Sequence, residues 1–423
     1  MTPQSLKKLD RELTAYIESL TQGMGRPERR SAMGLYMTGL LLDGERKSIE
    51  PIAARLVDDV CEIEAMRQRL QQCVVVSAWD ERRMFDRIGL TVDRELPDIE
   101  AFVVDDTGFP KKGRHSVGVA RQYSGTLGRI DNCQVATSLH LAGERGSACI
   151  GMRLYLPELW TSDRVRCRKV GIPDEVAFAT KWEHALELID AAIAAGVRKH
   201  VVLGDAAFGD AIEFREELSG RDLPYVLRVQ GVQVVWPPET VFKVPRKTSP
   251  KGPVPSQEQP TKGTTPVTIA ALAAELNYRR VSWRDGSRGK QSSRFAVVRV
   301  RTASKHRKGY GPGPEQWLLC EWPATEDAPS KFYLSSLPSN TALRDLVRLA
   351  KLRWRIERDY QEMKGELGLD HFEGRTWMGF HHHAALCAAA HAFLALRRAL
   401  FSPEQNPLDV GSRATAFAET APA

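Results

Sequence analysis

The spacing of apolar positions changes twice along the chain, and the changes divide it. Over the first 95 residues the period is helical: Leu6, Leu9, Leu13, Ile17 and Leu20 recur three and four apart, on one face of an amphipathic helix. Two more helical patterns follow GMGRPERR, first SAMGLYMTGLLLDG and then SIEPIAARLVDDVCEIEAMRQRLQQC. Short helices with Arg- and Lys-bearing junctions suit a small DNA-binding bundle, and equally a plain helical domain. From residue 100 the pattern shortens to strands. AFVVDD, CQVATSLHLA and ACIGMRLYLP are β-branched or alternating runs, with ERGS as a hairpin turn between the last two. EVAFATKWEHALELIDAAIAAG returns to helical spacing and stops at Gly196. VVLGD predicts a buried strand, AIEFREELSG a helix and PYVLRVQ a strand. The order β-β-β-α-β-α-β predicts an α/β fold, a mixed sheet flanked by helices.

Between Gln230 and Lys331 the pattern is irregular. VPRKTSPKGPVPSQEQPTKGTTP has little to bury and predicts a flexible excursion. SSRFAVVRVRT and EQWLLCEW predict strands around a HRKGYGPGP loop, so this region is expected to be a β-rich insertion. KFYLSSLP predicts a returning strand, and TALRDLVRLAKLRWRIERDYQEMKGELG one long helix. The expected organisation is a helical N-terminal domain over 1–95, the first part of the core over 96–230, the insertion over 231–330, the rest of the core over 331–400 and a loose tail over 401–423.

Composition alters this picture little. Hydrophobic residues at 42% and charged residues at 27% are those of a soluble globular protein. Sixty Lys and Arg against 53 Asp and Glu give a net charge of +7, which permits a polyanionic partner without requiring one. The seven cysteines form no CxxC pair, which argues against a disulfide framework or zinc knuckle and suits a reducing cytoplasm. The first twenty residues have no apolar h-region, and stretches such as LYMTGLLL are too short for a bilayer. A soluble, unexported protein is expected.

Three acidic positions stand out. One apolar strand runs into Asp105 and Asp106, followed by a Gly/Pro turn and by Lys111 and Lys112; another ends in Asp205. Each acid taken singly is ordinary turn chemistry. Together, acids at the carboxyl ends of neighbouring strands would repel and need a cation. A third acid is available on the predicted long helix. At about 100° per residue, taking Arg353 as zero puts Glu357 near 40°, Tyr360 near −20° and Lys364 near 20°, one narrow face. Asp359 and Glu362 point elsewhere. Such a glutamate could complete a three-carboxylate cage for two Mg2+ ions, with Arg353 and Lys364 holding backbone phosphates.

At these residues the chain resembles the DDE transposases of bacterial insertion sequences. Their insertion-sequence-4-like branch has a Y-(2)-R-(3)-E-(6)-K signature, and Arg353, Glu357 and Lys364 fall at its spacing. DDTGFPKKG, SVGVARQYSGTLGRIDNCQV and EGRTWMGFHHHAALCAAAHAFL are similar to the insertion-sequence 701 group, so the resemblance covers about residues 25–400. It implies an RNase H-like core with a β-rich insertion between the second Asp and the Glu. It implies Asp106, Asp205 and Glu357 as catalytic metal ligands, Asp106 because it directly precedes Thr107, with Asp105 as the fallback. Two adjacent strand residues point to opposite faces.

The implied cofactor is two Mg2+ ions, with Mn2+ able to substitute, and no small molecule. The implied DNA contacts are Lys111, Lys112, Arg353 and Lys364. The implied partners are double-stranded DNA, as terminal inverted repeats and as target, and a second copy of the chain on that DNA. The implied activity is cleavage at the element's ends and strand transfer, in the cytoplasm and on the nucleoid when bound. A transposase-derived protein that binds DNA without cutting is the rival, kept open because the signature tyrosine position is Ala350. A nuclease that cuts without joining is a third reading. Tyr360 is a candidate to take over the lost tyrosine's role. Trp354 is read as core packing. His381, His382 and His383 are read as structural or phosphate-contacting, because successive helical residues point in different directions.

Overall fold

The computed structural model describes residues 3–246, 257–261, 263–286, 289–303 and 312–400. The middle of the expected flexible excursion, most of the HRKGYGPGP loop and the tail lie outside the described residues. The chain divides into two compact units, one made of Met1–Lys199 and Trp354–Ala423, the other of His200–Arg353.

The first unit opens with five α-helices: α1 (Pro3–Thr21), α2 (Pro27–Leu41), α3 (Ile49–Arg55), α4 (Ile63–Gln71) and α5 (Glu81–Glu95). Strands β1 (Ile99–Pro110), β2 (Ala120–Ser124), β3 (Arg129–Gly143) and β4 (Gly146–Leu154) follow, then helices α6 (Glu158–Thr161), α7 (Arg164–Lys169) and α8 (Lys181–Ala195). The second unit holds β5 (Val201–Gly204), α9 (Ala206–Gly209), α10 (Ile212–Gly220), β6 (Tyr225–Val229), β7 (Val234–Trp236), β8 (Phe242–Lys243), β9 (Gln259–Pro260), β10 (Val267–Thr268) and α11 (Ile269–Ala274). It continues with β11 (Arg279–Gly286), β12 (Gly289–Thr302), β13 (Glu315–Trp322), β14 (Lys331–Ser335) and α12 (Leu343–Leu352). The chain then returns to the first unit with α13 (Trp354–Gly365) and α14 (Trp377–Ala399).

In the first unit β3 is central, paired antiparallel with β1, β2 and β4. The aspartate pair does not end its strand, as expected, but sits in mid-strand: Asp105 pairs with Ser138, Asp106 with Thr137, and pairing runs on to Pro110 and Cys133. Gly108 permits the extension, because a β-carbon there would lie 1.9 Å from the Ser124 hydroxyl of β2. The ERGS hairpin and the stop at Gly196 (φ 108°) are present as predicted. Helix α8 starts later than predicted because Thr180 caps it: its hydroxyl accepts from Glu183 N–H while the Glu183 carboxylate accepts from Thr180 N–H.

Helix α14 forms the core of this unit. Every residue from Gly379 to Phe393 is buried, the pattern of a helix that belongs inside. Its alanines let α2, α5 and β4 approach closely, and the Tyr16 hydroxyl of α1 donates to Ala389 O at 3.0 Å. The three successive histidines do point three ways. His381 Nδ1 donates to Trp377 O at 2.9 Å, and its Nε2 accepts from Leu154 N–H at 3.2 Å. His382 lies between Val74 O and Trp79 O and stacks on the Trp79 ring at 3.8 Å. His383 takes the Tyr36 hydroxyl on Nδ1 and donates from Nε2 to Gly368 O. All three are buried and structural. No helix among the described residues is long and apolar enough to cross a membrane.

In the second unit the strand order is β10-β7-β12-β13-β14-β6-β5, with β11 on β12. Only the β5–β6 pair there is parallel among these described strands, so this sheet is mixed. Val229, Val235, Ile269, Val300, Leu318, Phe332 and Leu334 form its core. Of the strands between residues 231 and 330, β7, β10, β11, β12 and β13 belong to the sheet that continues through β14 onto β6, whereas β8 and β9 pair with each other in a separate two-stranded sheet. The predicted long helix is broken: its hydrogen-bond ladder is interrupted at Arg353, whose backbone remains right-handed (φ −53°, ψ −26°). Within α13 itself Glu357, Tyr360 and Lys364 keep the predicted spacing on one face.

The partners of His381 and His383 suit neutral imidazoles. Burial pushes them down to about 3 and about 4 respectively, against about 6.5 for a free side chain. Because the unfolded chain takes up these protons first, stability is full above pH ~6.5 and falls as pH drops towards the folded values. Imidazole NMR should show both rings neutral at pH 5.5, with the melting temperature falling over that window. Titration of either ring near pH 6.5 in the folded protein would contradict this.

Candidate active site

Helix α13 lies against β1, β3 and β4. Ile356 and Met363 are its apolar contacts with the core, and both are fully buried. Its remaining inward positions are polar, which is unusual for a helix seated on a sheet. Asp359 is 3% exposed and accepts from His140 Nδ1 at 2.7 Å and from the Ser147 hydroxyl at 2.6 Å. His140 Nε2 lies 3.0 Å from Ser138 Oγ, which is 2.6 Å from the Tyr360 hydroxyl. Burial by itself would raise the Asp359 carboxyl. The His140 hydrogen bond, the neighbouring histidines and Ser147 outweigh it and hold the group below the usual carboxylate range. Glu362, next along the same side, bonds to Arg358 at 2.8 Å and to Arg398. Burial opposes its ionisation, but His391 and Arg398 pull its carboxyl far down.

This seating distinguishes the two aspartates of β1. Directly paired residues on neighbouring strands project from the same face. Asp105 therefore shares the face of Ser138, which carries α13. The Tyr360 phenol, pushed far up by burial, is raised further by the Asp105 carboxylate and, less strongly, by that of Asp106, while Ser138 pulls the other way. Asp106 lies on the opposite face, where α8 begins. Its Oδ2 accepts from Lys181 Nζ at 2.6 Å, with the two side chains 14% and 29% exposed. The resemblance favours Asp106 as first acid; the position of α13 favours Asp105.

Glu357 is exposed and lies three residues before Tyr360, about 4.5 Å back along the helix on the same flank. Lys364 lies four residues after Tyr360 and donates to Gly108 O at 2.8 Å, with its ammonium 5.3 Å from the Phe109 ring. Burial lowers its affinity for the proton. The flank thus carries Glu357, Tyr360 and Lys364 in helical order, with Tyr360 meeting Ser138 of β3 and Lys364 the Gly108 carbonyl of β1. Tyr360 is turned inward to Ser138, so it is not the outward replacement for the lost signature tyrosine. Trp354 is half-buried, with the Arg355 guanidinium 4.7 Å from its ring.

Lys111 is also anchored: its Nζ donates to Phe372 O at 2.8 Å, and burial lowers it, opposed by Asp370 and Glu373. It lines a cavity of about 260 Å³ with Arg46, His115, Ser116 and Arg375. Lys112 beside it is exposed, and Arg353 is half-buried at the end of the second unit. Asp205, also in the second unit, follows β5 and caps α9, its Oδ1 accepting from Ala207 N–H at 2.9 Å. Neither unit holds, among its described residues, three His, Cys, Asp or Glu side chains close enough to bind a metal ion. The first unit offers Asp105 and Glu357 on one side of the sheet. One or two carboxylates completed by water and phosphate oxygens is how Mg2+ is usually bound, so these donors fit a hard divalent ion.

Sequence reading missed Lys181, Ser138, His140 and Arg375. Only the distance in sequence hid them: 75 residues separate Lys181 from Asp106, and 222 separate Ser138 from Tyr360.

A family model described as DDE superfamily endonuclease matches residues 19–290. The probable transposase for insertion sequence element IS701 of Microchaete diplosiphon is 29% identical over 197 residues. That match covers 46% of this chain and 47% of the relative, so it spans about half the length of each.

The Asp106–Lys181 pair is buried enough to test. Lys181→Met should cost about 1–2 kcal/mol in urea unfolding, as expected when a charge-assisted hydrogen bond is lost. Asp106→Asn should then cost much less in that background than in the parent, a coupling read by a double-mutant cycle. Simple additivity would mean that the pair contributes nothing.

Proposed function

This chain belongs to the DDE superfamily of endonucleases, and we propose that it is a transposase acting on the ends of a bacterial insertion sequence. The observation that carries the proposal is the seating of α13, which sets Glu357 on the flank of Tyr360 and so on the side of the sheet that bears Asp105. The relative from Microchaete diplosiphon, the DDTGFPKKG run and the Arg353, Glu357, Lys364 spacing support the same reading. The fold that goes with it is an RNase H-like core interrupted by β-rich sequence and preceded by a helical region.

Enzymes of this superfamily use divalent metal ions. In this chain Asp105 and Glu357 would hold them, and Asp205 joins on its motif, an acid directly after a buried apolar strand. Two Mg2+ ions, replaceable by Mn2+, would acidify the attacking water or hydroxyl and offset charge on the leaving oxygen. Asp106 would serve only if its pair with Lys181 opened. Lys112 and Arg353 would meet backbone phosphates directly. Lys111 and Lys364 are each tethered to a carbonyl, but an ammonium has three N–H groups and keeps others for phosphate.

The substrate is double-stranded DNA, first at the element's terminal inverted repeats and then at the target. Two ends must be joined, so the working form is a dimer on DNA, in the cytoplasm and on the nucleoid.

The test is cleavage and joining of the element's own ends, identified as inverted repeats flanking the gene, with Mg2+ or Mn2+. Asp105→Asn and Glu357→Gln should each reduce cleavage by roughly 100- to 1000-fold with DNA affinity retained, whereas Asp106→Asn should leave most activity. Loss with Asp106→Asn and not with Asp105→Asn would return the first ligand to Asp106. Salt-dependent, site-specific binding with no cleavage by the wild type would replace the enzyme with a DNA-binding protein.

A further inference from the structure

We propose that Ser138 and His140 are positioning residues for Glu357, acting through Tyr360 and Asp359. The proposal rests on the reading that Glu357 and Asp105 bind a divalent metal. Its grounds are geometric. Ser138 and His140 are two residues apart on β3 and face α13 side by side, and they hold two consecutive residues of that helix. Ser138 Oγ meets the Tyr360 hydroxyl at 2.6 Å, and His140 Nδ1 meets Asp359 Oδ2 at 2.7 Å. The two anchors are linked to each other, since His140 Nε2 lies 3.0 Å from Ser138 Oγ. The Tyr360 ring also meets the His140 ring edge-on at 5.5 Å and 82°.

Consecutive helical residues point about 100° apart. Hydrogen bonds to both fix the helix in rotation and in translation along the strand, which Ile356 and Met363, packing without directional preference, cannot do. His140 Nδ1 meets Asp359 Oδ2, and Ser138 Oγ lies between His140 Nε2 and the Tyr360 hydroxyl, within hydrogen-bond distance of both. Every buried polar atom along this chain is satisfied, and that makes it specific: a rotated α13 would leave several unpaired. One turn from the anchors the same helix carries Glu357, whose aim follows from where α13 is locked.

Mn2+ binding to the full-length, metal-free chain, read as loss of the free-ion EPR signal, tests this without relying on activity. Ser138→Ala and Tyr360→Phe should each weaken Mn2+ binding on the order of tenfold, the usual cost of removing a group that orients a metal ligand. Ser138→Thr, which restores a hydroxyl, should return most of the affinity. Thermal melting of each metal-free variant separates positioning from folding. A lowered melting temperature with unchanged Mn2+ affinity in both variants would overturn the proposal. Glu357→Gln keeps the two readings apart. If it leaves Mn2+ binding intact, the metal site itself is wrong. If it abolishes binding while Ser138→Ala and Tyr360→Phe do not alter it, only the positioning role fails.

Discussion

The functional reading depends on how one helix is held. Most helices dock on sheets through an apolar stripe, and the result tolerates small rotations because dispersion has little directionality. Helix α13 docks through Asp359 and Tyr360 onto His140, Ser147 and Ser138, with Glu362 tied to Arg358 and Arg398 alongside. Such an arrangement is costly unless every group is paired, since a buried carboxylate without donors would protonate or disrupt the packing. Fully paired, it has a single register. The α14 helix behind it, buried from Gly379 to Phe393, provides the enclosed surroundings in which these bonds are strong.

A second constraint comes from the strand. Alternation puts Asp105 and Asp106 on opposite sides of the sheet whatever else happens. The pairing with Ser138 and Thr137 then decides which side each faces. Asp106 meets the first residue of α8, where the ion pair with Lys181 satisfies it. Asp105 meets the α13 side. A doublet of acids is therefore divided between an ion pair with α8 and the face that carries α13, and the division depends on tertiary pairing.

Much of this was legible in the sequence, and the rest was hidden for identifiable reasons. The spacing of Glu357 and Lys364 could be read because helical period is local, and α13 keeps it. The hairpin between β3 and β4 and the stop at Gly196 were equally local. The Thr180–Glu183 capping box was present in the text as T-x-x-E and could have fixed the start of α8. The break at Arg353 has no Gly or Pro to mark it. Strand β11, RRVSWRDG, pairs only with β12 among the described strands and is rich in charge, so no apolar run announces it. The extent of β1 beyond the aspartates depends on Gly108 clearing Ser124, a contact between strands 16 residues apart in the chain. Which aspartate faces α13 could not be read at all, because periodicity states that two neighbours differ without stating which side the helix takes.

The assignment of the first metal ligand is where strand geometry and family resemblance part, and anomalous diffraction decides it. A crystal of the full-length protein with an end-sequence duplex, soaked in Mn2+, should give an anomalous peak about 2–2.4 Å from carboxylate oxygens of Asp105 and Glu357, with the Asp106–Lys181 pair intact. A peak held by Asp106 with Lys181 displaced, or no peak near Glu357, would contradict it.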